Sequence, residues 1–180
     1  MRNFKVEGII IKRRNINEAD RLLTVFSKGY GKIQAKAVGV RRVTSRRSSH
    51  VELLNYAKMT LYKGKSLPLV VEAEAICDYA FLKKNLRMVG IAYHICELID
   101  SLCAENQENT SVFLLLLQTL DDLSKGKDAK QTVHVFEKML LSHLGFFSNF
   151  PLVKAIDTHV VIEEILERKL KTTSLLPHFL

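Results

Sequence analysis

Arg21-Leu22-Leu23-Thr24-Val25-Phe26-Ser27-Lys28-Gly29-Tyr30-Gly31-Lys32-Ile33-Gln34-Ala35-Lys36-Ala37-Val38 is the stretch on which the fold is decided. Its first part alternates through Leu22, Thr24 and Phe26. Lys28-Gly29-Tyr30-Gly31 then offers a hairpin turn, because glycine accepts positive φ without strain. From Lys32 onward the alternation is clean, with Ile33, Ala35 and Ala37 on one face and Lys32, Gln34 and Lys36 on the other. That period of two predicts a half-buried antiparallel hairpin with a solvated, cationic outer face.

Working outward, Phe4–Lys12 carries the β-branched run Ile9-Ile10-Ile11 and predicts a preceding strand. Leu53–Tyr62 and Leu67–Ala73 predict a fourth and a fifth, joined by the turn Lys63-Gly64-Lys65-Ser66. Five short strands in so few residues predict a small barrel. The pattern then changes period. Glu74–Val89 has no Pro or Gly, and Phe81, Leu82 and Leu86 form its apolar face. Ile91, Ile95, Leu98, Ile99 and Leu102 follow at helical spacing. Ser111–Leu123 is apolar nearly all round, which predicts a helix buried on most sides. Val133, Phe136, Leu140 and Leu144 continue the period up to Gly145, and Ile156–Lys171 predicts a last amphipathic helix. The fold class expected is α+β, a five-stranded barrel over residues 1–75 and a helical domain over residues 76–180.

The charge follows the same division. The 180 residues carry a formal net charge of +8. Residues 1–75 hold sixteen Lys and Arg against six acids, whereas residues 76–180 hold eleven against thirteen. A charge excess confined to one part points to a polyanion partner for that part alone. The hydrophobic fraction of 47% argues for a folded chain rather than a disordered one. The longest strictly apolar run, Val112 to Leu117, is far too short to span a bilayer, and the N-terminus lacks a signal-peptide pattern. Cys77, Cys96 and Cys103, an odd number without an export signal, predict reduced thiols in the cytoplasm. None forms a Cys-x-x-Cys pair, so small buried hydrophobes are the expected role, with no metal and no cofactor.

The segment linking the third and fourth strands is Val38-Gly39-Val40-Arg41-Arg42-Val43-Thr44-Ser45-Arg46-Arg47-Ser48-Ser49. Arginine forks fit phosphate oxygens bidentately, and hydroxyls and free amides add short donors. A charge run of this kind is also what a solvated surface loop shows. The neighbourhood favours nucleic acid, since Arg13 and Arg14 end the first strand, Lys28 and Lys32 flank the hairpin, and Lys36 shares a face with Lys32. The candidate DNA-binding set is therefore Arg13, Arg14, Lys28, Lys32, Lys36, Arg41, Arg42, Arg46 and Arg47. Like charges within the loop predict mobility without a ligand. Tyr30 at the turn is placed to stack a base, while Tyr56 and Tyr62 fit a stacking face or a core equally well. Phe4 and Phe26 are expected in the core.

In order along the chain, several of these segments resemble the RecO family of recombination mediators. The similarity is densest from Glu7-Gly8-Ile9-Ile10-Ile11-Lys12 through Glu18-Ala19-Asp20 to Lys28-Gly29-Tyr30-Gly31-Lys32 and Ala35-Lys36-Ala37-Val38-Gly39-Val40-Arg41-Arg42. It continues in Phe136-Glu137-Lys138-Met139-Leu140-Leu141, Leu144-Gly145-Phe146 and Lys169-Leu170-Lys171-Thr172-Thr173-Ser174-Leu175-Leu176. The resemblance implies an OB-type barrel followed by a helical domain. It further implies binding of single- and double-stranded DNA and annealing of complementary strands. RecR would be a partner, and RecA would be loaded, indirectly, onto DNA covered by single-strand-binding protein in recombinational repair after DNA damage. A cytoplasmic, nucleoid-associated protein is implied too. Many family members carry a four-cysteine zinc element after the Gly-Phe segment; here Gly145-Phe146-Phe147-Ser148-Asn149-Phe150-Pro151-Leu152 has no cysteine, and the helical part is short for the family. Phe146, Phe147 and Phe150 near Lys154 would suit the C-terminal tail of single-strand-binding protein, an apolar anchor beside a carboxylate, although phenylalanines also simply pack in cores.

No catalytic residue is expected. Glu18 and Asp20 share a strand face, but no third carboxylate or histidine lies near, and Arg21 adjoins. A salt bridge or turn hydrogen bond accounts for them better. No phosphate-binding glycine loop or dinucleotide fingerprint appears. Two other classes fit the basic part, an OB-type RNA-binding module and a protein-binding adaptor whose basic face meets an acidic tail.

Overall fold

A computed structural model describes residues 2–146 and 157–172. The hairpin is formed by β2, Asp20–Ser27, and β3, Gly31–Ala37, with Val25 opposite Ile33 and Ser27 opposite Gly31. Strand β1, Asn3–Ile16, is long enough to pair twice. Its first half runs antiparallel to β4, Tyr56–Tyr62, and its second half runs antiparallel to β2. The changeover falls at an irregularity between Ile10 and Lys12, where the register with β2 shifts. A bulge there lets consecutive isoleucines all find cover, and Ile9, Ile10 and Ile11 are each buried. β5, Leu69–Cys77, pairs antiparallel with β4 and closes the sheet against β3 in parallel, Lys36 opposite Leu69. The resulting order is β1-β2-β3-β5-β4, which fits the five-stranded OB-type architecture expected.

One face of each strand fills the interior. Val6, Ile10, Leu23, Val25, Ile33, Ala35, Ala37, Val51, Met59, Leu61 and Val70 make one buried cluster. Full burial of side chains such as Ile10, Leu23 or Leu61 stabilises the fold by about 1.5–3 kcal/mol each. Phe26 is fully buried, and Phe4 packs partly buried against the cluster.

Beyond the barrel the boundaries differ from the sequence expectation. Residues 74–77 continue β5 and do not open a helix. A short helix α1, Ala80–Lys83, follows, and α2, Leu86–Leu102, starts only after Asn85. The reason is local: the Asn85 side chain accepts from the backbone N–H of Arg87 and Met88, an N-cap that fixes where the helix begins. Leu53 to Asn55 likewise lie outside β4, because Leu54 adopts φ 69° and the buried Asn55 amide donates to the carbonyls of Ser49 and His50. Helices α3, Thr110–Ser124, α4, Ala129–His143, and α5, Thr158–Leu166, complete the chain. Gly145 takes φ +84° just past α4, and the Phe146 N–H returns to the Leu141 carbonyl, as a helix C-terminus requires. α5 stops early at Glu167, which is left-handed, so residues 167–172 are not the helix the periodicity predicts. Cys77, Cys96 and Cys103 form no disulfide with one another, the last two are buried, and burial pushes the Cys96 thiol up to about 12.

The chain forms two compact units. One comprises Met1–Tyr79 together with Ala104–Phe113; the other comprises Ala80–Cys103 and Leu114–Leu180. A single cut near residue 75 misses the excursion of Ala104–Phe113 into the barrel unit. There Asn106 N–H donates to the Lys32 carbonyl, and Glu105 forms a parallel bridge with Lys32. Gly31 makes this approach possible. It sits at φ +63°, and an added Cβ would lie 1.9 Å from the Gln107 carbonyl oxygen.

Candidate nucleic-acid interface

The nine cations of the candidate set do not behave alike. Lys32 is buried, at 7% exposure, beneath the Ala104–Phe113 segment. Its predicted solvated position is thus corrected: alternation along β3 cannot show that a segment seventy residues away covers the strand. Gln34 on the same face donates to the Glu105 carboxylate at 3.0 Å. Lys36 pairs with Asp20 at 2.9 Å.

Asp20 is the hub of the β1–β2 end. One carboxylate oxygen accepts from the Gly39 N–H at 2.8 Å, and the other meets Lys36 and the Asn17 amide at 3.1 Å. The Gly39 bond, then Lys36 and Asn17, hold its carboxyl well below the usual carboxylate range. For Asp20 this matches the expected salt bridge or turn hydrogen bond, whereas Glu18 takes part through its backbone carbonyl. The effect is to tie the start of the basic loop to the β1–β2 turn. Arg41 fastens the same junction, its N–H to the Ala19 carbonyl at 2.9 Å and its guanidinium to the Glu18 carbonyl at 3.0 Å.

The far end of the loop is fastened by Arg47. Its guanidinium donates to the carbonyls of Val38 at 2.9 Å, Val71 at 3.3 Å and Val70. Val40 and Val51 are fully buried, Ser49–Val51 is a 3-10 turn, and His50 Nδ1 accepts from the Ala75 N–H. The loop therefore has structured ends, contrary to the expectation from like-charge repulsion alone. Arg13 is also engaged: the Glu52 carboxylate bridges Arg13 and, at 2.7 Å, Arg21. Neither Arg21 nor Glu52 stood out in the sequence reading. The available signal was that Glu52 is the sole acid between Asp20 and Glu72.

Four candidates remain outward. Arg14, Lys28, Arg42 and Arg46 are exposed and have no acid partner among the described residues. Arg42 and Arg46 line a concavity of about 410 Å³ with Val38, Gly39, Thr44, Ser45 and Arg47. The guanidinium forks supply fixed, charged donors around an open hollow, and the hydroxyls of Thr44 and Ser45 can turn to donate as well, which suits an anionic oxygen. Tyr30 is 45% exposed, and its ring rests on Phe4 at 5.4 Å, leaving one face of the pair outward. Tyr56 is engaged, its hydroxyl on Glu7 and its ring 6.1 Å from Phe113; burial and the Glu7 carboxylate push it up to about 12. The Tyr62 hydroxyl accepts from Arg2 at 3.0 Å.

Of the proposed peptide site, Phe146 is described and is 38% exposed, while Phe147, Phe150 and Lys154 lie outside the described residues. The helical unit offers another groove of about 270 Å³, lined by Phe81, Leu82, Met88 and Leu123 with Lys84 and Lys125. No helix among the described residues is long and apolar enough to cross a membrane.

An OB-like barrel with an outward arginine hollow, continued by a helical unit, is thus the class this chain represents. Comparison with known families matches residues 1–79 to the N-terminal model of recombination protein O and residues 83–150 to its C-terminal model. The chain is 33% identical over 144 residues to a DNA repair protein RecO of Dehalococcoides mccartyi, covering 80% of this chain and 57% of that protein. A DNA repair protein RecO of Pelotomaculum thermopropionicum is 33% identical over 146 residues, covering 81% and 57%. One from Acetivibrio thermocellus is 37% identical over 147 residues, covering 81% and 59%. The chain belongs to the RecO family, and it spans a little over half the length of these relatives.

Proposed function

We propose that the chain binds single- and double-stranded DNA through its OB-like unit, anneals complementary strands and acts in recombinational repair. In this reading it works with RecR and assists RecA loading on DNA covered by single-strand-binding protein. The observation that carries it is the outward set Arg14, Lys28, Arg42 and Arg46, two of which line a hollow with Thr44 and Ser45. Relatives described as DNA repair proteins support the same reading. Annealing requires no bond chemistry: screening phosphate repulsion while leaving base edges accessible is sufficient. The protein is accordingly read as a non-enzymatic binder of the cytoplasm and nucleoid. The groove of Phe81 and Met88 flanked by Lys84 and Lys125 supports docking of the tail of single-strand-binding protein, whose acidic and apolar end it complements.

The test compares anisotropy titrations on labelled single-stranded DNA, duplex DNA and RNA of one sequence, followed by a complementary-strand annealing assay. Binding to both DNA forms with accelerated annealing supports the proposal. Selective binding to RNA would replace it with the RNA-module reading.

A further inference from the structure

Within the helical unit, three side chains from three helices converge. His94 on α2 is fully buried, Glu137 on α4 is 5% exposed, and His159 opens α5. His94 Nε2 lies 3.0 Å from Glu137 Oε1, and His159 Nδ1 lies 3.6 Å from the same oxygen. The three ligand atoms all fall within 4.8 Å of one another. We propose that His94, Glu137 and His159 form a Zn²⁺ site that ties α5 to α2 and α4.

Three features favour a cation over a simple hydrogen-bonded cluster. First, the spacing is right. Zn–N and Zn–O bonds of about 2.0–2.1 Å in tetrahedral geometry separate the ligand atoms by roughly 3.3 Å, between the two distances seen. Second, two imidazoles and a carboxylate are an established Zn²⁺ donor set, with the fourth position left to water. Third, each ligand has an outer partner on its far atom. His94 Nδ1 meets the Thr172 hydroxyl at 2.7 Å, and that hydroxyl donates to Glu97 at 2.8 Å. The far Glu137 oxygen accepts from the Thr158 hydroxyl. His159 Nε2 faces Glu163 at 3.8 Å. Such outer groups select the tautomer and aim the ligand. Cys77, Cys96 and Cys103 take no part. The site was invisible in sequence because its ligands are 43 and 22 residues apart with no motif linking them.

The test uses the full chain, stripped with a chelator and dialysed. Zn²⁺ is titrated in competition with a chromophoric chelator, and melting is followed in parallel. One Zn²⁺ per chain with Kd below about 1 µM is expected, and saturation should raise the Tm by about 5 °C or more. Glu137→Gln and His159→Gln should each weaken Zn²⁺ at least about a hundredfold, and Thr172→Val about tenfold. Measuring the apo Tm of His159→Gln beside that of the parent separates loss of metal from loss of folding. A Co²⁺-loaded chain should show a tetrahedral visible spectrum without a thiolate charge-transfer band. Absence of one-to-one binding, unchanged affinity in both His159→Gln and Glu137→Gln, or a thiolate band would overturn the assignment.

Discussion

Replacing Arg14, Lys28, Arg42 and Arg46 together by alanine isolates the outward cations from those that hold the loop. Each is exposed and without an acid partner among the described residues, so each is free to neutralise a phosphate. On single strands every neutralised phosphate contributes about 0.7 to the slope of log affinity against log salt. Four full contacts would remove nearly 3 units; partial occupancy makes about 2 to 3 the expected loss. At about 0.15 M salt that corresponds to roughly a hundredfold weaker binding, and the two titration lines should converge towards about 1 M, where counterion release vanishes. Folding should be unaffected, since exposed unpaired charges contribute little.

The contrast is Arg47→Ala. That guanidinium satisfies the carbonyls of Val38, Val70 and Val71. Its loss should cost about 1.5 kcal/mol, the lower end for hydrogen bonds from a charged donor because the site is only half-buried. For a chain of this size the Tm should fall by about 3–6 °C. The slope should change by at most about 0.7. The assay is anisotropy on a mixed-sequence single strand across salt, with melting curves for each variant. An unaltered slope in the folded four-alanine variant would refute the division into outward and anchoring cations. So would a slope loss in Arg47→Ala as large as that of the four together.

Gly31→Ala forces a Cβ onto the Gln107 carbonyl at positive φ, so chemical denaturation should show a loss of about 2–4 kcal/mol. Asp20→Asn should lower the Tm at neutral pH. Because the folded carboxyl titrates below its ordinary 3.8, the Asp20 contribution is complete above that value and lost as pH falls through the folded pKa; the Tm gap between parent and variant should stay constant from about pH 7 to about pH 5 and close in stronger acid. In the groove of the helical unit, Phe81→Ala with Lys84→Ala and Lys125→Ala should weaken a fluorescent peptide ending in acidic residues and phenylalanine at least about tenfold; Phe81 is 78% exposed, so circular dichroism should be unchanged.

Period-two alternation located β2 and β3 almost to the residue because one face of each lies in the barrel core, where a slip would bury the wrong side chains. The β5–α1 boundary was not legible, since Glu74-Ala75-Ile76-Cys77 satisfies a helical and a strand pattern alike and only pairing with β4 decides. The Asn85 cap was legible and went unread. The interface was half legible: composition located the basic loop, but which arginines face outward depends on acceptors that are distant in sequence. Arg47 finds the carbonyls of β5, Arg13 finds Glu52, and Lys32 meets a segment inserted between α2 and α3. Charge counts carry no information about such partners.

Those partners also explain why the net charge of the barrel is a poor map of where a polyanion would lie. Of the six acids in residues 1–75, Glu7, Glu72 and Glu74 line a concavity of about 630 Å³ with Lys5 and Lys58, bordered by β1, β4 and β5. Within a Debye length of about 8 Å the lysines there are offset by carboxylates, and a phosphate would gain little. Asp20 and Glu52, by contrast, are occupied with Lys36, Arg13 and Arg21. They fix the base of the loop, and Arg42 and Arg46 have no acid partner among the described residues. Acids on both sides of the barrel thus act in one direction. On the β4–β5 side they share the surface with lysines; beside the loop they engage the scaffold cations, and two of the outward cations, Arg42 and Arg46, stand together at the hollow between Val38 and Arg47.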